Sequence, residues 1–595
     1  LACLAMKSIL EALDHGRLSH PDQQAWTFLN DKGDPVDTYT YKELDNASSH
    51  LAESLLNSHK LSVGDRVLLV FFPGLDFTVS LLACFKAGLI GVPVFPPDPR
   101  KLKKDLHHFV NIQLSCGATT VLTNSSYNFA KKIVDLTHIF STESARWPEL
   151  KWISVDDTLK KGKTVDKSKS KAAIKLPTVL PESIAFLQYT SGSTSDPKGV
   201  MISHENLAHN LTLIIKELQA DGSTVVVSWL PQYHDMGLIG SYLGIVYCGG
   251  RGNYISPISF LKDPTVWVKA MSRFKATHTQ APNFAYPLVS RKFKEALHSE
   301  PHFQSKVAST LDLSSLRHMI NAAEPVDYHA IMEFYDTFGA YGLKNNVVIP
   351  TYGLAEHTVF VCSGGKQVIS VSRAALEAGK VEIIGEVGEL LGGNTGINHS
   401  VSEAEAQQIV GCGYPTHGEG VDLIIVNSNA VELVLAKEGD VAHDDHHAPV
   451  STNANTKLSS VAPQPSSDST TEADTATVAK SGLRVLEEGV VGEIWIASHS
   501  KAKGYWNQPV LSLHEFHAHV DRDTANLTPM AAAAVADGYL RTGDLGFLYN
   551  SELFICGRMK DLIIVRGSNH YPQDIERTAE AAQADYLRAG CSAAF

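Results

Sequence analysis

The sequence has no C-x-x-C pair, and its eight cysteines are scattered along 595 residues. It therefore lacks the cysteine spacing of a zinc site or a disulfide framework, and this usage fits a reducing compartment. Basic charge is not in excess either, because the net charge is −13. Non-specific binding to nucleic acid needs a positive surface, so we expect no nucleic-acid partner.

A long uninterrupted apolar run is also missing. The most apolar stretch, 67–97, is broken by Pro73, Asp76 and Lys86. This pattern is unsuited to a membrane span and predicts a strand, a helix and a strand of a parallel sheet. We therefore expect no membrane span and a cytoplasmic location. The chain has no initial Met and stops within a patterned segment, so we expect it to be a piece of a longer protein.

The apolar residues that are present indicate a large folded chain. Hydrophobic residues make up 44% and charged residues 19% of a sequence too long for one ordinary domain. Up to about residue 435, short apolar runs alternate with helical periodicity, which predicts an α/β fold with parallel strands. Residues 437–481 are rich in Ser, Thr, Ala, Pro and Asp and have no aromatic residue. We predict a disordered insertion there.

The stretch SGSTSDPKG, residues 191–199, has the composition of a phosphate-binding loop. Its glycines let backbone N–H groups approach an anion, its hydroxyls donate hydrogen bonds, and Lys198 supplies positive charge. It is not a Walker loop, because Lys198 precedes Gly199 and Val200 stands where a magnesium-binding hydroxyl is needed. A strand-like run precedes it, and Ser203 is a predicted helix N-cap. Taken alone, the stretch also fits a solvated Gly/Ser loop.

Two histidine motifs raise the question of a metal site. HDDHH, residues 443–447, lies in the low-complexity region, where no rigid outer shell would orient ligands. His234 and Asp235 are adjacent, as in metal-dependent phosphohydrolases, but further ligands at helical spacing are missing near them. We assign a metal site to neither motif.

Four more motifs follow the loop in order. Together with YTSGSTSDPKGV they resemble the motifs of the adenylate-forming superfamily of acyl and aryl ligases, over nearly the whole chain. The segments APNFAYPL (281–288) and VSRAALEAGKV (371–381) resemble the fatty acyl-AMP ligases in particular. The four motifs are SWLPQYHDMGLIG (228–240), PTYGLAEHTVF (350–360), GYLRTGDLGFL (538–548) and GRMKDLIIVRGSNHYPQDIE (557–576).

The resemblance implies an enzyme, a fatty acyl-AMP ligase. Members convert a fatty acid and ATP into acyl-adenylate and pyrophosphate. They then pass the acyl group to the phosphopantetheine thiol of an acyl carrier protein, or of a carrier domain in the same polypeptide, and often load polyketide or lipopeptide pathways. The implied cofactors are ATP and Mg²⁺. Two alternatives stay open: a fatty acyl-CoA synthetase, and a non-catalytic homologue that binds acyl groups or nucleotides.

The resemblance also implies roles for individual residues. As catalytic residues, Lys198 would counter phosphate charge, Glu356 would hold Mg²⁺, and His234 would lie where the acyl tunnel meets the adenylate. Arg558 would reach the ribose or the phosphates, and Lys560 would be the hinge. The residues implied to bind ATP or AMP are Thr190, Ser191, Gly192, Ser193, Thr194, Lys198, Gly199, Ala323, Glu324, Tyr352, Gly353, Asp544 and Arg558.

Side-chain chemistry suits the nucleoside roles. The flat ring of Tyr352 is suited to stacking on adenine. Asp544 has two carboxylate oxygens that can accept hydrogen bonds from both ribose hydroxyls. The segment NAAEP, residues 321–325, resembles the wall of the adenine site, with Ala323 and Glu324 closest.

The resemblance further implies the domain order. We expect a large multi-lobed adenylate-forming N-terminal domain over 1–557, a hinge at 558–560, and a small α+β C-terminal domain. Residues 561–595 would be only the truncated start of that domain, without the later segment that usually carries the adenylation lysine. Part of 362–410 is expected to be the insertion of ligases that reject CoA, which limits movement of the C-terminal domain.

Overall fold

The structure is a computed structural model, and the predicted phosphate loop lies only partly within its described residues. Ser191, Gly192, Ser193 and Thr194 lie outside them, as do the 437–481 insertion and the HDDHH motif. The described residues are 6–98, 102–138, 147–164, 176–190, 197–299, 301–385, 388–390, 406–415, 419–427, 483–565, 568–583 and 592–594.

Strands are spread along the chain, as the alternating apolar pattern predicts. In chain order the described strands are β1 (Gln24–Leu29), β2 (Pro35–Thr40), β3 (Arg66–Leu69), β4 (Ile90–Pro93), β5 (Thr120–Thr123), β6 (Lys151–Ser154), β7 (Ile184–Thr190), β8 (Lys198–Ser203), β9 (Val225–Ser228), β10 (Arg251–Ile255), β11 (His278–Pro282), β12 (His318–Ala322), β13 (Val348–Tyr352), β14 (Cys362–Ser363), β15 (Gln367–Ser372), β16 (Gly388–Glu389), β17 (Ala406–Val410), β18 (Asp422–Val426), β19 (Gly492–Ala497), β20 (Leu540–Tyr549), β21 (Glu552–Arg558), β22 (Ile563–Val565) and β23 (Ser568–His570).

Helices alternate with these strands. The described α-helices are α1 (Ile9–Ser19), α2 (Tyr41–Asn57), α3 (Leu75–Ala87), α4 (Leu102–Cys116), α5 (Ser125–His138), α6 (Asp156–Thr164), α7 (His204–Glu217), α8 (Gly244–Cys248), α9 (Pro257–Lys262), α10 (Thr265–Arg273), α11 (Ala285–Ser299), α12 (Pro301–Lys306), α13 (Tyr328–Phe338), α14 (Arg373–Glu377), α15 (Pro509–Phe516), α16 (Pro529–Ala536) and α17 (Pro572–Ala582). Among the described residues, no helix is both long enough and apolar enough to cross a membrane.

Two mainly parallel sheets form the first part of the fold. One has the described order β6-β5-β3-β4-β7-β8, and the other β14-β13-β12-β11-β9-β10-β1-β2. Apolar runs that are buried on both faces favour this arrangement, because helices cover parallel strands on both sides. The stretch 67–97 forms the predicted β3–α3–β4 unit with parallel strands. The α/β fold class predicted from the sequence is confirmed.

Local signals in the sequence explain several element ends. Ser203 caps α7 through the backbone N–H of Asn206, as predicted, and the Asn206 side chain returns the bond. Thr40 and Glu43 form the same kind of capping box at α2. Gly88 ends α3 with a left-handed φ of 66°, which glycine adopts without steric penalty.

A third lobe is antiparallel. It contains the described sheets β18-β19-β20-β21 and β16-β15-β17. The hairpin β22–β23 and α17 follow it, and they contain the start of the predicted C-terminal domain. Tyr571, at the start of α17, is buried against Phe547 and Ile369 of this lobe. The residues after the predicted hinge therefore pack on β15, which lies within the interval 362–410, and on β20.

Candidate active site

One cavity of about 710 Å³ brings together residues from distant parts of the chain. It lies at the carboxyl ends of β12 and β13, where ligands bind in open parallel sheets. Gly199 and Glu324 are neighbours of lining residues but do not line the cavity themselves. The predicted site residues that line it are Thr190, Lys198, His234, Ala323, Tyr352, Gly353, Glu356, Asp544, Arg558 and Lys560.

Lys198 and Thr190 lie opposite each other at the end of the β7–β8 hairpin. Residues 191–197, which contain most of the predicted phosphate loop, lie between them in the sequence. Lys198 itself already belongs to β8. The hairpin register therefore places the one lysine of the loop at the mouth of the connection, facing the cavity.

Glu356 lies in a short 3-10 turn, Ala355–His357, directly after β13. Its Oε1 accepts a hydrogen bond of 2.9 Å from the hydroxyl of Tyr505. Burial raises the pKa of Glu356 above the ordinary range, although this hydrogen bond opposes the shift. Gly353 permits the tight path into the turn, because a Cβ at that position would lie 1.8 Å from the carbonyl oxygen of Val359.

Asp544 connects two other predicted nucleotide residues. Its Oδ2 accepts a hydrogen bond of 2.6 Å from Tyr352, and its Oδ1 lies 3.3 Å from Arg558 Nε. Arg558 is directly opposite Asp544 in the β20–β21 register, and its side chain is 59% exposed. Burial raises the pKa of Asp544, and the positive charge of Arg558 opposes this shift. A buried carboxylate with one exposed cationic partner is suited to binding a polar ligand.

His234 and Asp235 form a close pair at the cavity wall, with Nδ1 and Oδ1 2.7 Å apart. The charge of Asp235 raises the pKa of His234. Burial alone would raise the pKa of Asp235, but His234 and the N–H of Met236 bring it below the ordinary value. Among the described residues there is no group of three or more His, Cys, Asp or Glu side chains that could hold a metal ion.

The predicted adenine segment has an unusual backbone. Ala323 has a φ of 69°, a left-handed conformation that a residue with a Cβ rarely adopts. Such strain is often found at ligand sites. Glu324 accepts a hydrogen bond of 3.1 Å from the backbone N–H of Phe284, which ties this segment to the start of α11.

A second, narrow apolar pocket of about 30 Å³, the extension, adjoins the cavity. Ile214, Leu218 and Ile320 line both spaces, and Ile245 and Val226 line the extension alone. Its wall includes the π-helix 236–243, a rare form that is frequent at functional sites.

Gly240 and Gln280 lie at the junction between the cavity and the extension. A Cβ at Gly240 would lie 2.6 Å from Gln280 Oε1. A larger residue at position 240 would therefore displace the Gln280 amide where the two spaces meet.

Sequence reasoning missed several lining residues. Tyr505 and Glu515 fall in a segment without an assigned motif, and Arg541 lies within a quoted motif but had no role. Arg541 Nη2 lies 3.2 Å from Glu493 Oε2, and both side chains are nearly buried. The one signal in the sequence that Arg541 lies near the site is its position, three residues before Asp544. Nothing in the sequence links it to Glu493.

The comparisons with known proteins agree with this geometry. The family model of AMP-binding enzymes matches residues 14–414. The chain belongs to the AMP-binding enzyme family. This AMP-binding enzyme is 31% identical to the medium-chain-fatty-acid–acyl-carrier-protein ligase JamA of Moorena producens, over 96% of this chain and 80% of JamA. It is 28% identical to the long-chain-fatty-acid–AMP ligase FadD32 of Mycolicibacterium smegmatis, over 89% of this chain and 70% of FadD32.

A solved structure extends the comparison to the fold. A fatty acyl-adenylate ligase from L. pneumophila, crystallised with acyl adenylate and pyrophosphate, matches with a TM-score of 0.69 and 29% identity. The match covers 98% of this AMP-binding enzyme and 82% of that chain. The predicted resemblance to fatty acyl-AMP ligases is thereby confirmed, and so is the adenylate-forming fold.

Proposed function

We propose that this enzyme activates a fatty acid with ATP and transfers the acyl group to a carrier protein. In the first step a carboxylate oxygen attacks the α-phosphorus of ATP, and the bond to pyrophosphate breaks. In the second step a phosphopantetheine thiol attacks the acyl carbon, AMP leaves, and a thioester forms. The observation that carries the proposal is the cavity lined by the predicted ATP residues, together with the apolar extension that shares lining residues with it.

The first step joins two anions, so catalysis depends on charge neutralisation and positioning. Lys198 is the cation of the predicted phosphate loop that lines the cavity. It would lie beside the β- and γ-phosphates, while Thr190 and the hydroxyls of residues 191–194 would donate hydrogen bonds. In this role Lys198 stabilises the charge that builds up on the leaving pyrophosphate.

The nucleoside would lie between Tyr352, Ala323 and Asp544. Asp544 already accepts one hydrogen bond, from Tyr352, and its carboxylate can accept further bonds from ribose hydroxyls. Arg558 would turn toward the ribose or the phosphates. Its half-exposed side chain has room to move, since 59% of it is accessible to solvent.

Glu356 fits the role of magnesium ligand. A hard cation prefers carboxylate oxygen, and Mg²⁺ in nucleotide sites is commonly held by one or two carboxylates together with phosphates. The described residues contain no three-ligand cluster, so Glu356 would share the ion with ATP. Bound Mg²⁺ would neutralise phosphate charge and so assist the departure of pyrophosphate.

The fatty acid would place its chain in the apolar extension and its carboxylate near His234. The extension itself measures about 30 Å³, so the chain would enter by displacing its apolar lining, and each CH₂ group buried there contributes about 0.8 kcal/mol. The His234–Asp235 pair stands at the wall of the cavity. It would orient the carboxylate for attack without bonding to a metal.

The acceptor is proposed from the C-terminal contacts. Residues up to 557 would form the substrate-binding domain, and Lys560 would act as the hinge that reorients residues from 561 onward. His570 Nδ1 lies 2.9 Å from Glu377 Oε1, and Glu377 ends α14 within the 362–410 interval. This contact would hold the C-terminal part and limit access by CoA, while a carrier protein could still present its thiol.

The proposal is tested by incubating the enzyme with ATP, Mg²⁺ and fatty acids of increasing length. We expect fatty-acid-dependent exchange of pyrophosphate into ATP and an acyl-adenylate detectable by mass spectrometry. The absence of both with every fatty acid, in a preparation that binds ATP, would support a non-catalytic binding protein instead.

A further inference from the structure

The segment 502–506 joins the two elements that present Lys198 and Glu356. The backbone N–H of Ala502 donates to the carbonyl oxygen of Glu356 at 2.9 Å, and that of Trp506 donates to the carbonyl oxygen of Gly199 at 2.8 Å. The segment therefore bridges the turn after β13 and the start of β8. The two elements are far apart in the sequence, and the segment 502–506 hydrogen-bonds to both of them.

Tyr505, in the middle of this segment, contacts both charged side chains. Its hydroxyl donates to Glu356 Oε1 at 2.9 Å, and Lys198 Nζ lies 4.9 Å from the centre of its ring. A cation over an aromatic face is attracted by the ring quadrupole. Tyr505 is only 6% exposed, so both contacts are made in a largely desolvated place.

The Tyr505 ring is itself held firmly. It packs edge-on against Phe516 at 5.0 Å and 85°. The backbone N–H of Tyr505 donates to Ser512 Oγ at 2.8 Å, and Ser512 Oγ donates to the carbonyl oxygen of Gln508. Residues of α15 thus hold Tyr505 in place, and this helix belongs neither to the phosphate loop nor to the turn that contains Glu356.

We propose that Tyr505 is a positioning residue of the adenylation step, which orients the Glu356 carboxylate for Mg²⁺ and keeps Lys198 beside the phosphates. The inference rests on the proposed function. The Tyr505 hydroxyl occupies one lone-pair direction of Glu356 Oε1 and leaves the rest of the carboxylate able to bind a cation. Partners that hydrogen-bond a metal-binding carboxylate set its orientation, and their loss lowers metal affinity about 10- to 100-fold.

The two contacts can be separated by substitution. Tyr505→Phe removes the hydroxyl and keeps the ring beside Lys198, whereas Tyr505→Leu removes both. We expect Tyr505→Phe to raise the half-saturating Mg²⁺ concentration in pyrophosphate exchange about 10-fold, with kcat at saturating Mg²⁺ changed by less than about 3-fold. Tyr505→Leu should lower kcat as well, because Lys198 loses its cation–π contact with the aromatic ring.

Tyr539→Phe is the matched control. Its hydroxyl also donates to a buried carboxylate, Asp422, at 2.6 Å, but neither residue lines the cavity. We expect it to change the melting temperature and not the Mg²⁺ requirement. An unchanged Mg²⁺ requirement in Tyr505→Phe, or an equal shift in Tyr539→Phe, would overturn the positioning role.

A binding measurement separates this inference from the proposed activity. Mn²⁺ is titrated by electron paramagnetic resonance into folded enzyme saturated with α,β-methylene-ATP. About 10-fold weaker Mn²⁺ binding in Tyr505→Phe supports the role even in a protein without exchange activity. Equal Mn²⁺ affinity in the wild type and in both Tyr505 variants contradicts it.

Discussion

The hydroxyl of Tyr352 donates a hydrogen bond of 2.6 Å to Oδ2 of Asp544, although 192 positions separate the two residues. The bond connects the end of β13 to β20 and so joins the parallel sheet to the antiparallel lobe. Two residues that the sequence assigned separately to adenine and ribose therefore act on each other. Asp544, the residue predicted to bind the ribose, is therefore also a structural link between the two parts of the fold.

Asp544→Ala should raise the KM for ATP by more than about 10-fold, because a buried polar site loses its acceptor. Tyr352→Phe should have a smaller effect, of about 2- to 5-fold, because the carboxylate remains. Steady-state kinetics of pyrophosphate exchange measure both. Asp312→Asn is the control, since its carboxylate is paired with Lys275 at the surface. Unchanged KM values for ATP in both site variants would remove Asp544 from the nucleotide site.

Lys198→Ala and Glu356→Ala should each lower the rate of acyl-adenylate formation about 100-fold or more, because phosphate charge is then left uncompensated. Lys216→Ala removes an equally charged side chain that pairs with Glu419 at the surface, and it should leave the rate unchanged. Single-turnover formation of acyl-adenylate provides the measurement. Normal rates in both site variants would contradict the assignment of the cavity.

Glu356→Gln should stabilise the ligand-free enzyme at neutral pH. Burial raises the pKa of Glu356 above its ordinary value of 4.5, so the ionised form is disfavoured in the folded state. The stabilising contribution of this group is present below the unfolded pKa and is lost as pH rises through the folded pKa.

At pH 7.5 we therefore expect a melting temperature roughly 1–3 °C higher for Glu356→Gln than for the wild type, with activity strongly reduced. The difference should shrink as the pH falls toward 4.5, because Glu356 becomes protonated in both the folded and the unfolded state. A variant that is less stable than the wild type at pH 7.5 would show that ionised Glu356 is not a source of instability.

Replacement of residues 437–481 by a short Gly/Ser linker should preserve folding and activity. Asn427 and Arg484 flank the segment, and the N–H of Arg484 donates to Asn427 Oδ1 at 2.8 Å. Because the two ends already meet, a short connection can close the gap without moving β18 or β19. Differential scanning calorimetry and the exchange assay measure the outcome. A melting temperature lowered by more than about 5 °C would mean that this segment is a structural element and not a disordered insertion.

The parts predicted from sequence are those that depend on local pattern or on short motifs. The β3–α3–β4 unit follows from apolar runs and breakers, and the Ser203 cap follows from side-chain chemistry. The motif residues Tyr352, Glu356 and Asp544 line one cavity, and their roles in binding ATP stay predictions.

What could not be predicted depends on contacts between distant segments. Tyr505 reaches Glu356 across 149 positions, and Glu493 reaches Arg541 through the β19–β20 pairing. No periodicity reports such pairs, because they arise only when separate strands are placed side by side.

The identity of the acyl acceptor tests the central claim most directly. The enzyme is given one fatty acid, Mg²⁺ and ATP, with either CoA or a phosphopantetheine-bearing carrier protein, and the thioester products are quantified by mass spectrometry. The pantetheine arm is common to both acceptors, so discrimination must come from exclusion of CoA. We predict acyl-carrier thioester with the carrier and only acyl-adenylate with CoA. Efficient formation of acyl-CoA would contradict the account and identify a fatty acyl-CoA synthetase.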